Sequence, residues 1–323
     1  MITLEKAHRF FQAGQADRLS SSALVPRLAQ VFLWFCAAGL CEKKFEAAVH
    51  AGQDPEYAQN VSEMMVAHRL HQAGFELRRS PPNGGPDFIA IKSGQAIQIE
   101  VVTPKASKEV SDYINRPPFS PSYTVPLEEF LMCWTKGIAA KVEQLLGGSK
   151  TVGWQEKGLV DEQLPFVIAV NGCLFAGSFD EGFREPLGGH PRAATALYAI
   201  SAPTIQFDRN TGKRLWAGFE LRKGLTRYNK GTIALDTFLD AAYAPVSAVW
   251  AMTLDPSDLL HDNPPVETRR SYASAVLHNP NAVVALDVGL LPAFEEWQLQ
   301  PDPDGHAIAL VLDHRPPRPG HDS

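Results

Sequence analysis

Asp87 and Glu100 stand thirteen residues apart, in two short apolar runs, PDFIAIK (86–92) and AIQIEVV (96–102). Ser93-Gly94 between the runs has the composition of a tight turn, so the two segments read as antiparallel neighbours. Strand side chains alternate, which places Gln98, Glu100 and Val102 on one face and lets Asp87 and Glu100 converge at one end of the pair. Two carboxylates a few ångströms apart repel each other, and burial raises their pKa values. A hard divalent cation removes that penalty, and an all-oxygen site favours Mg²⁺ or Mn²⁺. Such an ion stabilises charge on a phosphoryl group and activates a water. Glu63 offers a third carboxylate, on a helical wheel face shared with Val66, Ala67, Leu70 and Ala73. A glutamate among small apolar residues needs a partner if it is buried; exposure at the start of its helix is the alternative.

These residues need an element order to bring them together. Residues 1–52 read as helices, with an apolar stretch at 28–41. Pro55 opens a longer helix, PEYAQNVSEMMVAHRLHQAG, which Gly74 closes. Its opposite face carries Tyr57, Val61, Met64 and His68, so it is expected between the N-terminal helices and a sheet. Strands follow at 75–79, 86–92 and 96–102, then a loop at 104–126 rich in Pro and Ser. A helix at about 127–146 and an internal strand at 165–172 come next. Helix, strands, helix, strand is a compact α/β unit with a mixed sheet. Beyond 176 the signals weaken, though PVSAVWAMTL (245–254) and NAVVALDVGLLP (281–292) read as strands that extend the same sheet. The expected organisation is an N-terminal helical segment (1–55), a core (56–175) and a C-terminal α/β extension (176–323) packed on it, ending in a disordered tail, HRPPRPGHDS.

The same element order separates the lysines. The apolar stripe of the 127–146 helix runs Leu127, Phe130, Leu131, Trp134, Ile138, Leu145, and steps of 100° put Lys141 inside it. A lysine facing a sheet demands an acidic partner; a stem that snorkels past the stripe to solvent is the alternative. Lys136 lies opposite the stripe, Lys92 alternates away from Asp87, and Lys105 lies beyond Pro104. Gln98, on the Glu100 face, either holds a water or metal-bound group or is simply exposed. Lys223, Arg227 and Lys230, in the segment KRLWAGFELRKGLTRYNKG (213–231), either touch a nucleic-acid backbone or are solvated.

The net charge of −6 supplies no global attraction for polyanions, which argues against a non-specific nucleic-acid coat protein but not against a local basic groove. With 45% apolar and 20% charged residues the chain can bury an ordinary core. Cys36, Cys41, Cys133 and Cys173 show no CxxC spacing, so free thiols are expected rather than a zinc site. No signal sequence or membrane-length apolar run is recognisable, and a cytoplasmic location is the expectation. No HExxH, GxSxG or GxxxxGK[ST] pattern occurs.

A glutamate on a helix ending AGFEL, then GPDF, then a strand ending IEVVTP resembles the PD-(D/E)xK nuclease superfamily, the restriction-endonuclease-like fold. PFVIAVN and LHNPNA (277–282) extend the resemblance to an uncharacterised bacterial branch of that fold. The superfamily likeness spans about residues 56–172. It implies a mixed central sheet flanked by helices and phosphodiester hydrolysis with Mg²⁺ or Mn²⁺ held by Glu63, Asp87 and Glu100. DNA is the expected polymer ahead of RNA, no membrane is expected as a partner, and a homodimer is left open. The family carries its lysine two residues after the strand glutamate, where this chain has Val102. Some branches take that lysine from the following helix, so the expectation is a lysine migrated to Lys141. The rival is a non-catalytic binding module that has lost it.

Overall fold

In the computed structural model of the chain, the structure describes residues 2–14, 23–54, 56–80, 84–117, 124–148, 151–175, 182–186, 189–222, 224–226, 232–260, 273–301 and 307–313. The expected tail, together with Lys223, Arg227 and Lys230, lies outside them.

Three helices, α1 (Leu4–Gly14), α2 (Leu24–Ala37) and α3 (Lys43–Ala51), precede α4 (Tyr57–Gln72). α4 buries Val61, Met64, Met65, Val66, Ala67 and Leu70, residues from both of its predicted apolar faces. It stops where Gly74 adopts φ 85° and the N–H of Phe75 returns to the Leu70 carbonyl at 3.1 Å. That closure satisfies a carbonyl left open at the helix end and turns the chain directly into the sheet.

Strands β1 (Glu76–Arg79), β2 (Phe88–Lys92) and β3 (Gln95–Val102) form an antiparallel edge. Ser93 and Gly94 both have positive φ, 51° and 82°, the geometry a two-residue hairpin needs to match strand twist. After β3 the chain forms α5 (Lys108–Ile114), where a loop was expected. Ser107 caps it, its hydroxyl accepting the Val110 N–H at 3.2 Å; the nearby prolines act only beyond its end. α6 (Leu127–Leu146) has the predicted boundaries and is followed by a small pair, β4 (Gly147–Gly148) and β5 (Thr151–Val152). β6 (Phe166–Asn171) is buried at all six positions. It lies parallel to β3 on one side.

The remaining elements are α7 (Arg192–Tyr198), β7 (Ile200–Phe207), β8 (Arg214–Leu221), the pair β9 (Gly224–Thr226) and β10 (Thr232–Ala234), then β11 (Ala248–Met252), β12 (Ser274–His278), β13 (Glu295–Pro301) and β14 (Ala307–Asp313). Ten strands make one mixed sheet in the order β1-β2-β3-β6-β11-β12-β13-β14-β8-β7. β6 pairs with β11 in parallel, so a single sheet runs from the 56–175 segment into the C-terminal half. The expected strand at 281–292 does not form. Its apolar run follows a turn in which the Asn279 side chain accepts from the Asn281 N–H (2.9 Å) and donates to the Tyr243 and Val246 carbonyls, and Val283 is 74% exposed. The strand here is the preceding one, β12, ending at His278.

The sheet separates two cores. Ile97, Ile99 and Val101 of β3 pack with α1–α4, while Ile168 and Val170 of β6 pack with α5–α7. Among the described residues no helix is long and apolar enough to cross a membrane. The four cysteines are free thiols.

Candidate active site

The alternation that buries Ile97, Ile99 and Val101 against the N-terminal helices turns Gln98, Glu100 and Val102 towards α6. Glu100 is 3% exposed. Asp87, just ahead of β2, is stitched to the same strand: its Oδ2 accepts the Val101 N–H at 2.7 Å, and its own N–H donates to Glu100 Oε2 at 3.2 Å. The convergence expected from the hairpin is therefore present, with main-chain groups holding both side chains.

Lys141 meets them from α6, its Nζ 2.5 Å from Glu100 Oε1 and 3.2 Å from Gln144 Oε1. Its side chain is 19% exposed, so the lysine faces the sheet and does not snorkel to solvent. The helix reaches this depth because Gly137, one turn earlier, has no side chain. A Cβ there would stand 2.5 Å from the Pro104 ring. Pro104 begins the segment leaving β3, so a proline and a glycine together set how closely Lys141 approaches Glu100. The other lysines lie where the helical and strand patterns put them: Lys136 is exposed, Lys92 lies over the Phe75 ring, and the exposed Lys105 stands near Glu56.

Glu63 is half-buried on α4, on the other side of the sheet, and its Oε1 accepts a hydrogen bond from Gln59 Nε2 at 3.0 Å. Gln59 Nε2 also donates to the Val101 carbonyl (3.1 Å), and Gln59 Oε1 accepts the Thr103 N–H (2.8 Å). Gln59 thus bolts α4 to the end of β3. Sequence reasoning missed it; the only available signal was its i, i+4 spacing to Glu63. Asn171, at the end of β6, adds a second tie, donating to Ser62 Oγ at 2.9 Å and to the Leu254 carbonyl at 3.0 Å. Gln98 fits neither of its expected roles. It is buried and clamps the main chain of Asp161, donating to its carbonyl and accepting from its N–H, both at 2.8 Å.

Electrostatically the cluster is unbalanced. Burial and then the charge of Asp87 push the Glu63 carboxyl up to about 8, against the pull of Gln59. Burial and Asp87 also hold Glu100 well above the carboxylate range, against Lys141. Asp87 is raised by burial, opposed by the Val101 N–H and by Lys141. Burial works against the charge of Lys141, but Glu100 outweighs it and the ammonium is held more firmly than usual. Three carboxyl groups face one close ammonium and, more weakly, the Arg79 guanidinium on Glu63 and Asp87; burial therefore leaves an acid excess that protons or a cation would neutralise.

Among the described residues no three His, Cys, Asp or Glu side chains form a group that could hold a metal on protein ligands alone. Glu63 is near enough to be coupled to Asp87 and Glu100 but does not complete such a triad. Mg²⁺ does not require one, because it keeps several waters and takes one or two carboxylates together with phosphate oxygens. Asp87 and Glu100 fit that requirement.

Comparison with protein-family models, with curated proteins and with solved structures gives no match to this chain.

Proposed function

We propose that the chain is a metal-dependent nuclease with a restriction-endonuclease-like core, hydrolysing phosphodiester bonds in DNA ahead of RNA. The observation that carries the reading is Lys141. Val102 leaves the strand position without an ammonium, and a lysine from α6 stands against the carboxylate two residues earlier. Asp87 and Glu100 would hold Mg²⁺ or Mn²⁺, with Glu63 beside them. Such a cation, when bound, supplies charge for a phosphoryl oxygen and lowers the pKa of a water. The protein's own contribution is orientation: Gln59 and the Val101 main chain fix the carboxyls, and Lys141 keeps a proton and a positive charge at Glu100.

The second reading, a nuclease-fold binding module without catalysis, draws on the lack of a three-ligand group among the described residues and on Lys141 occupying one oxygen of Glu100. One experiment separates them. Purified protein is incubated with duplex DNA, single-stranded DNA and RNA in Mg²⁺, in Mn²⁺ and in EDTA, beside an Asp87→Ala variant. Cleavage that needs the metal and vanishes in the variant supports the nuclease; no cleavage of any polymer by the parent favours the binding module.

A further inference from the structure

We propose that a cavity between α6, α7 and the start of β7 binds a neutral, single-ring ligand of the pyrimidine-base type, one that both donates and accepts hydrogen bonds. It is separate from the carboxylate cluster: Leu131 in its wall and Lys141 both lie on α6, about 15 Å apart along the helix axis.

The cavity has a volume of about 190 Å³. Leu131, His190 and Thr195, all buried, form its floor, and the exposed Leu127, Pro186 and Arg222 form its mouth. The floor is tied in place. The Glu185 N–H donates to the His190 carbonyl at 2.8 Å, and His190 Nε2 lies 2.9 Å from Thr195 Oγ1 on α7. A space of about 150 Å³ in a protein core takes one benzene ring, so this one takes a single ring with its substituents.

Charge selects a neutral occupant. Among the described residues the charged members of the wall are Glu185 and Arg222, and both are already matched. Glu185 Oε1 accepts from Arg192 Nη1 at 3.0 Å, and Arg222 Nη2 donates to Glu128 Oε1 at 2.6 Å. Burial, with the charges of Arg192 and Arg184, lowers His190 to about 4, so its ring is neutral at pH 7. A charged ligand would meet no unmatched opposite charge in this wall, and desolvating it would go uncompensated.

The polar groups select what the ring must carry. His190 is 1% exposed, and its Nδ1 has no hydrogen-bond partner among the described residues. A buried atom left unmet costs stability, so a ligand atom that meets it gains affinity. Glu185, ionised beside Arg192, only accepts and Arg222 only donates, so a ring with both an N–H and a carbonyl suits the pair. Leu127, Leu131 and Ala202 supply apolar contact for such a ring. A free sugar brings more hydroxyl groups than these few partners satisfy, and a plain hydrocarbon leaves Nδ1 unmet.

The test is isothermal titration calorimetry of the full chain, in EDTA, with thymidine and deoxycytidine, whose sugars would project through the mouth. Benzoate and benzylamine serve as charged rings. The parent should bind at least one nucleoside with a Kd of about 1 mM or tighter, and both charged rings about tenfold more weakly or worse. Ala202→Phe fills the cavity from a half-buried position on β7 and should abolish nucleoside binding while keeping the unfolding midpoint. His190→Leu should weaken binding by about fivefold, the reach of one neutral hydrogen bond. No nucleoside binding by the parent, or binding unchanged in both variants, would overturn the site. Benzoate or benzylamine bound as tightly as a nucleoside would overturn the neutral class. Oligothymidylate added beforehand separates two sources of the same ring: lost thymidine heat assigns the cavity to a base within a strand, unchanged heat to the free nucleoside. Nucleoside binding with no cleavage by the parent in Mg²⁺ keeps the cavity and removes the nuclease.

Discussion

The molecule buries ionisable groups in two regions and treats them oppositely. Between β12 and β13, His278 Nε2 lies 2.7 Å from Glu296 Oε2, and Gly289 N–H donates to Glu296 Oε1 at 2.7 Å. Each oxygen of that carboxylate has its own partner. Nearby, Arg184 meets Glu295 and Arg192 meets Glu185, one for one, each at 3.0 Å. At β3, three carboxyl groups are met by one close ammonium, with the Arg79 guanidinium acting on Glu63 and Asp87 from further off. Acids matched one for one by cations or an imidazole serve to hold strands together. An excess of buried acids over cations costs stability, and on the proposed function a cation between Asp87 and Glu100 would recover that cost.

The largest effect that would break this contrast is catalytic. Lys141→Met keeps the apolar stem and removes the ammonium, so DNA cleavage should fall about a thousandfold, the usual reach of a positioned acid–base group. The thermal response to Mn²⁺ should survive. Undiminished cleavage by Lys141→Met would turn attention to Lys105 and end the idea of a migrated lysine. Next is the saturated region. His278→Leu leaves Glu296 buried without its imidazole partner and should cost about 3 kcal/mol, read as a lower urea midpoint at unchanged slope, with cleavage per folded molecule as in the parent. A loss below about 0.5 kcal/mol would mean that the pair is not what holds β12 to β13.

The third effect is the metal response. Mn²⁺ at a hundredfold over its Kd should stabilise the parent by about 2.7 kcal/mol, and Asp87→Ala should abolish the gain. A variant that still responds would move the cation elsewhere. The smallest effect separates the regions by pH. His190, beside Arg192 and Arg184, is lowered by burial from 6.5 to about 4. Its folded form prefers the neutral ring, so its stabilisation is complete above pH 6.5 and lost as pH falls towards 4. Between pH 6.5 and 5 the loss is about 2 kcal/mol. Glu63, raised from 4.5 to about 8, acts in reverse: its contribution is complete below pH 4.5 and lost as pH rises towards 8. His190→Leu should flatten the acid side of the stability profile and leave the neutral side alone; equal slopes in both proteins would contradict the assignment.

The arrangement of Asp87, Glu100 and Lys141 is legible in the sequence. Ser93-Gly94 announced the hairpin, and a charge inside the stripe of α6 singled out Lys141, because both signals are local and periodic. The failures share a different cause. Gln59 acts through main-chain atoms of Val101 and Thr103, more than forty residues away, and nothing near it in the chain records those partners. Gln98 sat on the expected face, but its work on Asp161 depends on a loop brought in by β6. The run 281–292 is apolar enough for a strand, yet the Asn279–Asn281 turn and Pro292 leave it outside the ladder. Ser107 is a residue type that caps helices, but the prolines further on give the stronger signal, that of a loop.

The parallel seam at β6 has a kinetic consequence. Its partners are far away along the chain: Glu100 with Ile168 on one side, Val167 with Ala248 on the other. Loop-closure entropy must be met before either pairing gains anything, so folding is expected to be slow, and β6 waits for a neighbour that is synthesised late. A fragment ending at residue 175 would present β6, buried on both faces in the full chain, as a raw edge six residues long. Such an edge templates aggregation, so the 56–175 segment is not expected to survive excision from its C-terminal half.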